Sequence, residues 1–290
     1  MKLKLGIPKG SLQESTIKMF KKAGFDIKIS ERSYMPYIDD PDIDPILLRA
    51  QEMSEYVENG TLDCGITGND WIMEKGSKVQ KVAELVYAKR GIQPVRWVLA
   101  VRAGSGIKSV KDLKNGRIAT ELVSVTKKYL KKNKVKAQVD FSWGATEIKA
   151  NMELVDAIVE LTETGSSLRA NNLRIIDTIC ESTTQFITNK DSYKNAWKRE
   201  KMNNIAMLLK GAIVAENKVG LKMNVSKKDL NKVLKILPAM KRPTISSLTQ
   251  AGWVDVDTIL DEKTVKNIIP KLKKAGAQGL VEYPLNKVIY

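Results

Sequence analysis

Short apolar runs, punctuated by glycine, alternate with amphipathic stretches from the first residues onward. This feature constrains the fold more than any other. "KLKLGIPK" reads as a strand ended by Pro8. Gly10 and Ser11 follow, and Ser11 can cap a helix whose Leu12, Ile17, Met19 and Phe20 suit one face, with Gly24 ending it. A helix over about Ala50 to Glu58 stops at Asn59-Gly60, and the buried strand "LDCGIT" leads into Gly68-Asn69-Asp70. A second block begins near Arg96. It has strands "RWVLAVRAG", "RIATEL" and "AQVDFSW", a capped turn "SVKDLKNG", and helices "SVTKKYLKKNKV" and "GATEIKANMELV". Alternation on this scale predicts parallel sheets with both faces covered, arranged as two lobes with a cleft between them.

The remainder changes rhythm. After the helix-like "NAWKREKMNNIAMLLKGAIVAE", the order is strand, helix, strand, strand, helix, strand, which is the ferredoxin-like βαββαβ arrangement. The fold class is therefore α/β: a bilobal part built like the periplasmic binding proteins, then a ferredoxin-like module. The predicted boundaries are 1–95 for lobe I (completed by about 185–206), 96–184 for lobe II and 212–290 for the last module.

Composition narrows the chemistry. The chain has no histidine, which removes Ser-His-Asp triads, His-ligated metals and an imidazole base. Cys64 and Cys180 are far apart without close-spaced partners, so neither a disulfide framework nor a zinc motif is present. Carboxylates, lysine, arginine, hydroxyls and backbone amides must do the work. The net charge of +16 attracts polyanions. Its lysines are spread along the chain, the densest run (Lys127 to Lys136) alternates like a solvated helix face, and no DNA-reading helix pair is recognisable. Small phosphorylated substrates are expected rather than nucleic acid. No uncharged apolar stretch of about 18 residues exists to span a membrane. The start has lysines but no apolar run behind them, so a cytoplasmic protein is expected.

The stretch "ELTETGSSLRANN" (Glu160 to Asn172) carries the densest chemistry. "VDAIVEL" supplies a buried strand. Thr164, Gly165, Ser166 and Ser167 supply hydroxyls and small residues whose amides can converge on a phosphate at the start of a helix, or else form an ordinary capped turn. Glu160 and Glu163 would repel a bare phosphate, but they suit ribose hydroxyls or Mg²⁺ bridging phosphates; solvated loop charges are the alternative.

"VDAIVELTETGSSLRANNLRII" resembles the phosphoribosyl-diphosphate-binding segment of the ATP phosphoribosyltransferases. "GIPKGSL" resembles that family's N-terminal loop, "LLRAQEMSEYVENGTLDCGITGNDWI" its first-domain core and "GRIATE" a second-domain strand and loop. "LPAMKRPTISSL" and "WVDVDTIL" resemble the C-terminal regulatory domain of the long form. The motifs follow the family's order and spacing along nearly the whole chain. Departures occur at Glu153 and Val155, where the family has Gly and a small residue, and at Glu160 and Ser167, where it has Asp and Thr.

The resemblance implies a magnesium-dependent transfer in which N1 of ATP's adenine attacks C1 of phosphoribosyl diphosphate and pyrophosphate leaves. It implies histidine as feedback inhibitor, and a homo-oligomer passing between dimer and hexamer. Lys9, Arg32 and Arg49 are then candidates to clamp phosphates, although a surface lysine and surface ion pairs are the plain alternatives. Asp70 follows a buried strand, as a cleft residue or a helix cap, and Trp71 is expected in the core. Asp156 shares a strand face with Glu160, as a ligand group or an ion-pair partner. In the regulatory module Thr244, Ser246 and Leu248 share one strand face and are candidate inhibitor contacts. The metal ligands stay unassigned beyond the substrate phosphates and Glu163.

Overall fold

The first strand, β1 (Leu3–Lys9), has Leu3, Leu5 and Ile7 fully inaccessible on one face and Gly6 and Pro8 buried on the other, as a strand largely covered on both faces requires. The structure is a computed structural model that describes residues 1–30, 33–89, 91–238 and 243–290. Helix α1 (Gln13–Ala23) buries Thr16, Met19, Phe20 and Ala23, and Gly24 closes it in the left-handed conformation. Ser11 does not cap it. The helix starts after Leu12, and the Gln13 amide bonds the Gly10 carbonyl at 3.0 Å.

β2 (Ile27–Lys28) and β3 (Tyr37–Ile38) form a small ladder, after which β4 (Ile43–Arg49) runs parallel to β1 with Arg49 opposite Lys9. α2 (Ala50–Glu58) buries Ala50, Met53, Ser54 and Val57, one stripe at helical spacing. β5 (Cys64–Gly68) pairs with β1 so that Gly65 faces Gly6. Those glycines make room for the helix: a Cβ on Gly6 or Gly65 would stand 2.2 or 2.6 Å from the Met53 sulfur. α3 (Asn69–Lys75) and β6 (Gln80–Leu85) complete this run.

Lobe II contains β7 (Val95–Arg102), β8 (Arg117–Thr120), α4 (Val123–Lys132), β9 (Gln138–Phe141), α5 (Thr146–Asn151), β10 (Ala157–Thr162), α6 (Ser166–Ala170) and β11 (Leu173–Ser182). Its sheet order is β11-β7-β10-β8-β9. The alternation of β7 sends Trp97, Leu99 and Val101 into one core, and Val98 and Ala100 into another. The chain then returns to lobe I. β12 (Thr184–Thr188) enters between β5 and β6 and gives the order β4-β1-β5-β12-β6; α7 (Lys190–Lys194) and α8 (Ala196–Ala215) follow.

The sheets are not wholly parallel. β7 is antiparallel to β10 and β11, and β12 is antiparallel to β5 and β6. The reason is topological: β7 and β12 arrive directly from the other lobe instead of through a helical crossover, so they are free to run in the opposite sense.

The chain divides into two units, Met1–Ala206 and Met207–Tyr290. The second holds β13 (Lys218–Ser226), α9 (Leu230–Ile236), β14 (Thr244–Ser247), β15 (Trp253–Asp261), α10 (Glu262–Lys274) and β16 (Gln278–Pro284). This is the expected βαββαβ order, in an antiparallel sheet β14-β15-β13-β16. Val254 and Val256 of β15 pack with Val233 of α9 and with Val265, Ile268 and Leu272 of α10, and the alternate residues Asp255 and Asp257 take the opposite face.

Candidate active site

Parallel strands deliver side chains to one edge, and here the edges of the two lobes' sheets share a cleft of about 740 Å³. That volume is typical of small-molecule sites. On the lobe I side, β1 and β4 end together at Lys9 and Arg49. Gly10 adopts φ 105°, and a Cβ there would lie 3.3 Å from an Arg49 guanidinium nitrogen. The Lys9 ammonium sits 4.0 Å from the centre of the Tyr34 ring, which holds a cation at the cleft mouth without neutralising it. This wall is cationic.

Lobe II answers with the opposite charge. β8 and β10 are parallel neighbours, so Glu121, just past β8, and Glu160, near the end of β10, meet at the same edge. Gln51, at the start of α2, reaches across to Glu121 at 3.4 Å. Glu160 takes a hydrogen bond from the Leu161 amide at 3.0 Å. Burial, with Glu147 and Glu121 adding repulsion, pushes its carboxyl up to about 7, against the Leu161 amide and the Thr146 hydroxyl.

The loop after β10 is shaped by its own side chains. The buried Thr162 hydroxyl accepts the Gly165 amide at 2.7 Å, and Gly165 turns the chain at φ 73°, where a Cβ would press on Arg169 at 2.9 Å. The Ser166 amide leans on the Thr164 hydroxyl at 3.4 Å, Thr164 donates to Ser166 at 3.0 Å, and Arg169 ties the Thr164 carbonyl at 3.1 Å. Two amides expected to face a phosphate are thus occupied within the loop. The hydroxyls of Thr164, Ser166 and Ser167 line the cleft, and Ser167 donates to Glu147 at 3.0 Å.

Asp70 lies at the cleft floor, only 4% exposed. One carboxylate oxygen accepts the Trp97 indole N–H at 2.6 Å and the other the Trp71 amide at 3.0 Å, while the Asp70 amide bonds Ser182 at 3.0 Å. Burial raises its carboxyl above the usual range despite these bonds. Trp71 is half-buried and meets Trp97 edge-on, the ring centres 5.9 Å apart.

The structure therefore brings Lys9, Arg49, Asp70, Glu160, Glu163, Thr164, Ser166 and Ser167 to one cleft, with Gly165 shaping the loop. It does not bring Asp156 there. That residue precedes β10, at the far end from Glu160, and its carboxylate accepts the Arg117 amide at 2.7 Å. Arg32 lies outside the described residues. Sequence reasoning missed Gln51, Tyr87, Trp97 and Glu121 as cleft residues, and Glu147 beside them. In the second unit, Thr244 and Ser246 are exposed on β14, opposite Asp257 and Asp255, while Leu248 lies past the strand end. Asp255 is buried: one oxygen is 3.2 Å from Lys222, and the other has no partner among the described residues.

Comparison with known proteins places this arrangement in context. A family model described as ATP phosphoribosyltransferase (HisG) matches residues 49–211, and a HisG C-terminal domain model matches residues 215–287. A protein of Thermodesulfovibrio yellowstonii named ATP phosphoribosyltransferase is 62% identical over 287 residues, covering 99% of this chain and 98% of that one. A protein of the same name from Solibacter usitatus is 59% identical over 289 residues, covering all of both chains. Among solved structures, the "ATP phosphoribosyl transferase (HisG:HisZ) complex from Thermotoga maritima" superposes with a TM-score of 0.62 at 31% identity, over 73% of this chain and 97% of that one.

Proposed function

This chain belongs to the ATP phosphoribosyltransferase family in its long form, a family of pentosyltransferases of histidine biosynthesis, and from that premise we propose how its cleft works. N1 of ATP's adenine attacks C1 of phosphoribosyl diphosphate, the C1–oxygen bond to the diphosphate breaks, and pyrophosphate leaves with N1-(5-phosphoribosyl)-ATP formed. The observation that carries this reading is the polarity of the cleft: Lys9 and Arg49 on one wall, Glu121, Glu160 and the Glu163–Ser167 loop on the other.

Each wall suits one part of the reaction. The hydroxyls of Thr164, Ser166 and Ser167 bind the 5′-phosphate, and Glu160 and Glu163 accept hydrogen bonds from the ribose hydroxyls. Lys9 and Arg49 take the diphosphate, whose charge grows as it departs. Adenine N1 is already unprotonated, so positioning supplies most of the acceleration and no imidazole is required.

Magnesium fits this residue set as a substrate-borne ion. Among the described residues no group of three or more acidic or cysteine side chains converges to cage a metal. One or two carboxylates with substrate phosphates are the usual setting for Mg²⁺. Glu163, with Glu160, would hold it, and when bound it would neutralise the leaving diphosphate.

The second unit is read as the histidine sensor, with Thr244, Ser246 and Leu248 beside the buried Asp255, whose unpartnered oxygen suits a cationic amino acid's N–H donor. By family, the protein works in the cytoplasm as a dimer and a hexamer; none of its described helices is long and apolar enough to cross a membrane. The test is direct: purified protein with ATP, phosphoribosyl diphosphate and Mg²⁺ releases pyrophosphate, and added histidine slows it. Folded protein without turnover overturns the assignment, whereas a rate indifferent to histidine removes only the sensor.

A further inference from the structure

Helix α3 follows β5 of lobe I, where Ile72 packs into the core and Lys75 pairs with Glu55 of α2 at 2.9 Å, yet several of its other side chains are held by lobe II. Glu74 places one carboxylate oxygen 2.8 Å from the Ser124 amide and the other 2.9 Å from the Val125 amide. Those amides open α4, a helix with no acidic residue in its own first turn and no side-chain cap of its own. Helix starts leave amides unsatisfied and favour an anion, so Glu74 supplies from one lobe the cap that the other lobe's helix lacks. Three neighbours act in the same direction. Trp71 and Met73 pack against the core of lobe II, and Asp70 receives the Trp97 indole at 2.6 Å. At its other side α3 continues directly from β5, with Gly68 as its N-cap. Gly68 must stay bare, because a Cβ there would stand 2.0 Å from the Asp70 carboxylate.

We infer that α3 is the clasp that sets the spacing of the cationic and acidic walls, with Glu74 as its positioning residue. Glu74 does not line the cleft. It acts through α4 and the lobe II sheet, and the clasp's kinetic consequence rests on the reading of the cleft as a joint site for two substrates.

The experiment is a distance measurement on the full chain. Spin labels at the exposed positions Glu14→Cys in α1 and Lys114→Cys before β8, in a Cys180→Ser background, report the separation of the lobes without sitting on α4. Glu74→Ala is expected to broaden and shift that distance distribution, and Glu74→Gln, which keeps one acceptor oxygen, to restore part of it. Loss of wall spacing should lower kcat/KM for both substrates together by about 10- to 100-fold, as small misplacements do. A distribution that stays superimposable on the parent's overturns the clasp, even if the melting temperature falls, because Glu74 would then be only a cap for α4. A changed distribution with unchanged turnover keeps the clasp and instead overturns the joint-site reading of the cleft. Should Glu74→Ala fail to fold, the Glu74→Gln distribution decides the question alone.

Discussion

Asp63 and Glu160 are both carboxylates drawn out of water, one just before β5 and the other near the end of β10, and their surroundings are opposite. Asp63 is only 6% exposed and fully served: the Lys198 ammonium and the Ser192 hydroxyl each lie 2.6 Å away, and the Lys4 amide 2.9 Å. Burial alone would raise its carboxyl, but Lys198, Ser192 and the Lys4 amide outweigh it and hold it below the usual range. Glu160 has the Leu161 amide and the Thr146 hydroxyl, and it faces Glu147 and Glu121. A carboxylate whose needs are met within the protein holds the fold together. One left among like charges is unrelieved until a ligand brings donors or a cation, which is why such groups collect at functional sites.

The largest effect should come from breaking the satisfied site. Lys198→Met strands the Asp63 charge and should cost about 3 kcal/mol in urea unfolding, with turnover per folded molecule retained. A loss below about 1 kcal/mol would erase the contrast between the two carboxylates. At the cleft, Glu163→Ala should lower kcat/KM for phosphoribosyl diphosphate about 100-fold while ATP affinity changes far less. Equal losses would make the loop a structural element.

Glu160 sharpens the comparison through pH. Its carboxyl is raised to about 7, so kcat/KM for phosphoribosyl diphosphate should climb as pH rises toward about 7 and then level, and Glu160→Gln should remove that limb. The stability effect has the opposite sense. Between the ordinary value of 4.5 and about 7 the folded protein keeps a proton that the unfolded chain has released, so this contribution is present at low pH and lost as pH rises through that window. At pH 8 Glu160→Gln should therefore match or exceed the parent's stability, by about 1 kcal/mol. Asp63, with its lowered carboxyl, contributes stability that is present above its unfolded value of 3.8 and lost as pH falls. The smallest effect belongs to Asp156→Asn, which should leave both KM values within about twofold, since substitutions away from a site change little.

The loop from Glu160 to Ser167 was legible because its chemistry is local: two carboxylates, hydroxyls and a glycine lie within one turn of chain. Lys9 was legible as a strand-end residue, whereas Arg49 was a candidate only through the family resemblance, because β4 and its parallel pairing with β1, which carry both to one edge, were not read from the sequence. Glu121 and Glu147 were not legible. Each reads alone as an ordinary charged residue; the pairing of β8 with β10 brings Glu121 beside Glu160, and the packing of α5 on β10 brings Glu147. Asp156 was read near the start of the strand, where it lies, but a shared face was taken as a shared site; a period of two gives direction and not distance, and four residues of strand span about 13 Å. β11 escaped notice for a different reason. Irregularities between Ile175 and Asp177 and between Thr178 and Cys180 set apolar residues side by side and break the alternation that marks a strand.

The seat of β12 between β5 and β6 bears on the order in which the molecule can be made. A ribosome that has delivered lobe I as far as Leu85 has made a sheet with its fourth position vacant and with β6 lacking the neighbour it pairs with. The missing strand is not synthesised until Thr188, after the whole of lobe II. The first lobe must wait for the second with apolar sheet edges uncovered, a costly arrangement because distant segments have to meet before either is rewarded. Lobe II, whose strands β7 to β11 are contiguous in the chain, can close first and serve as the template on which lobe I is completed.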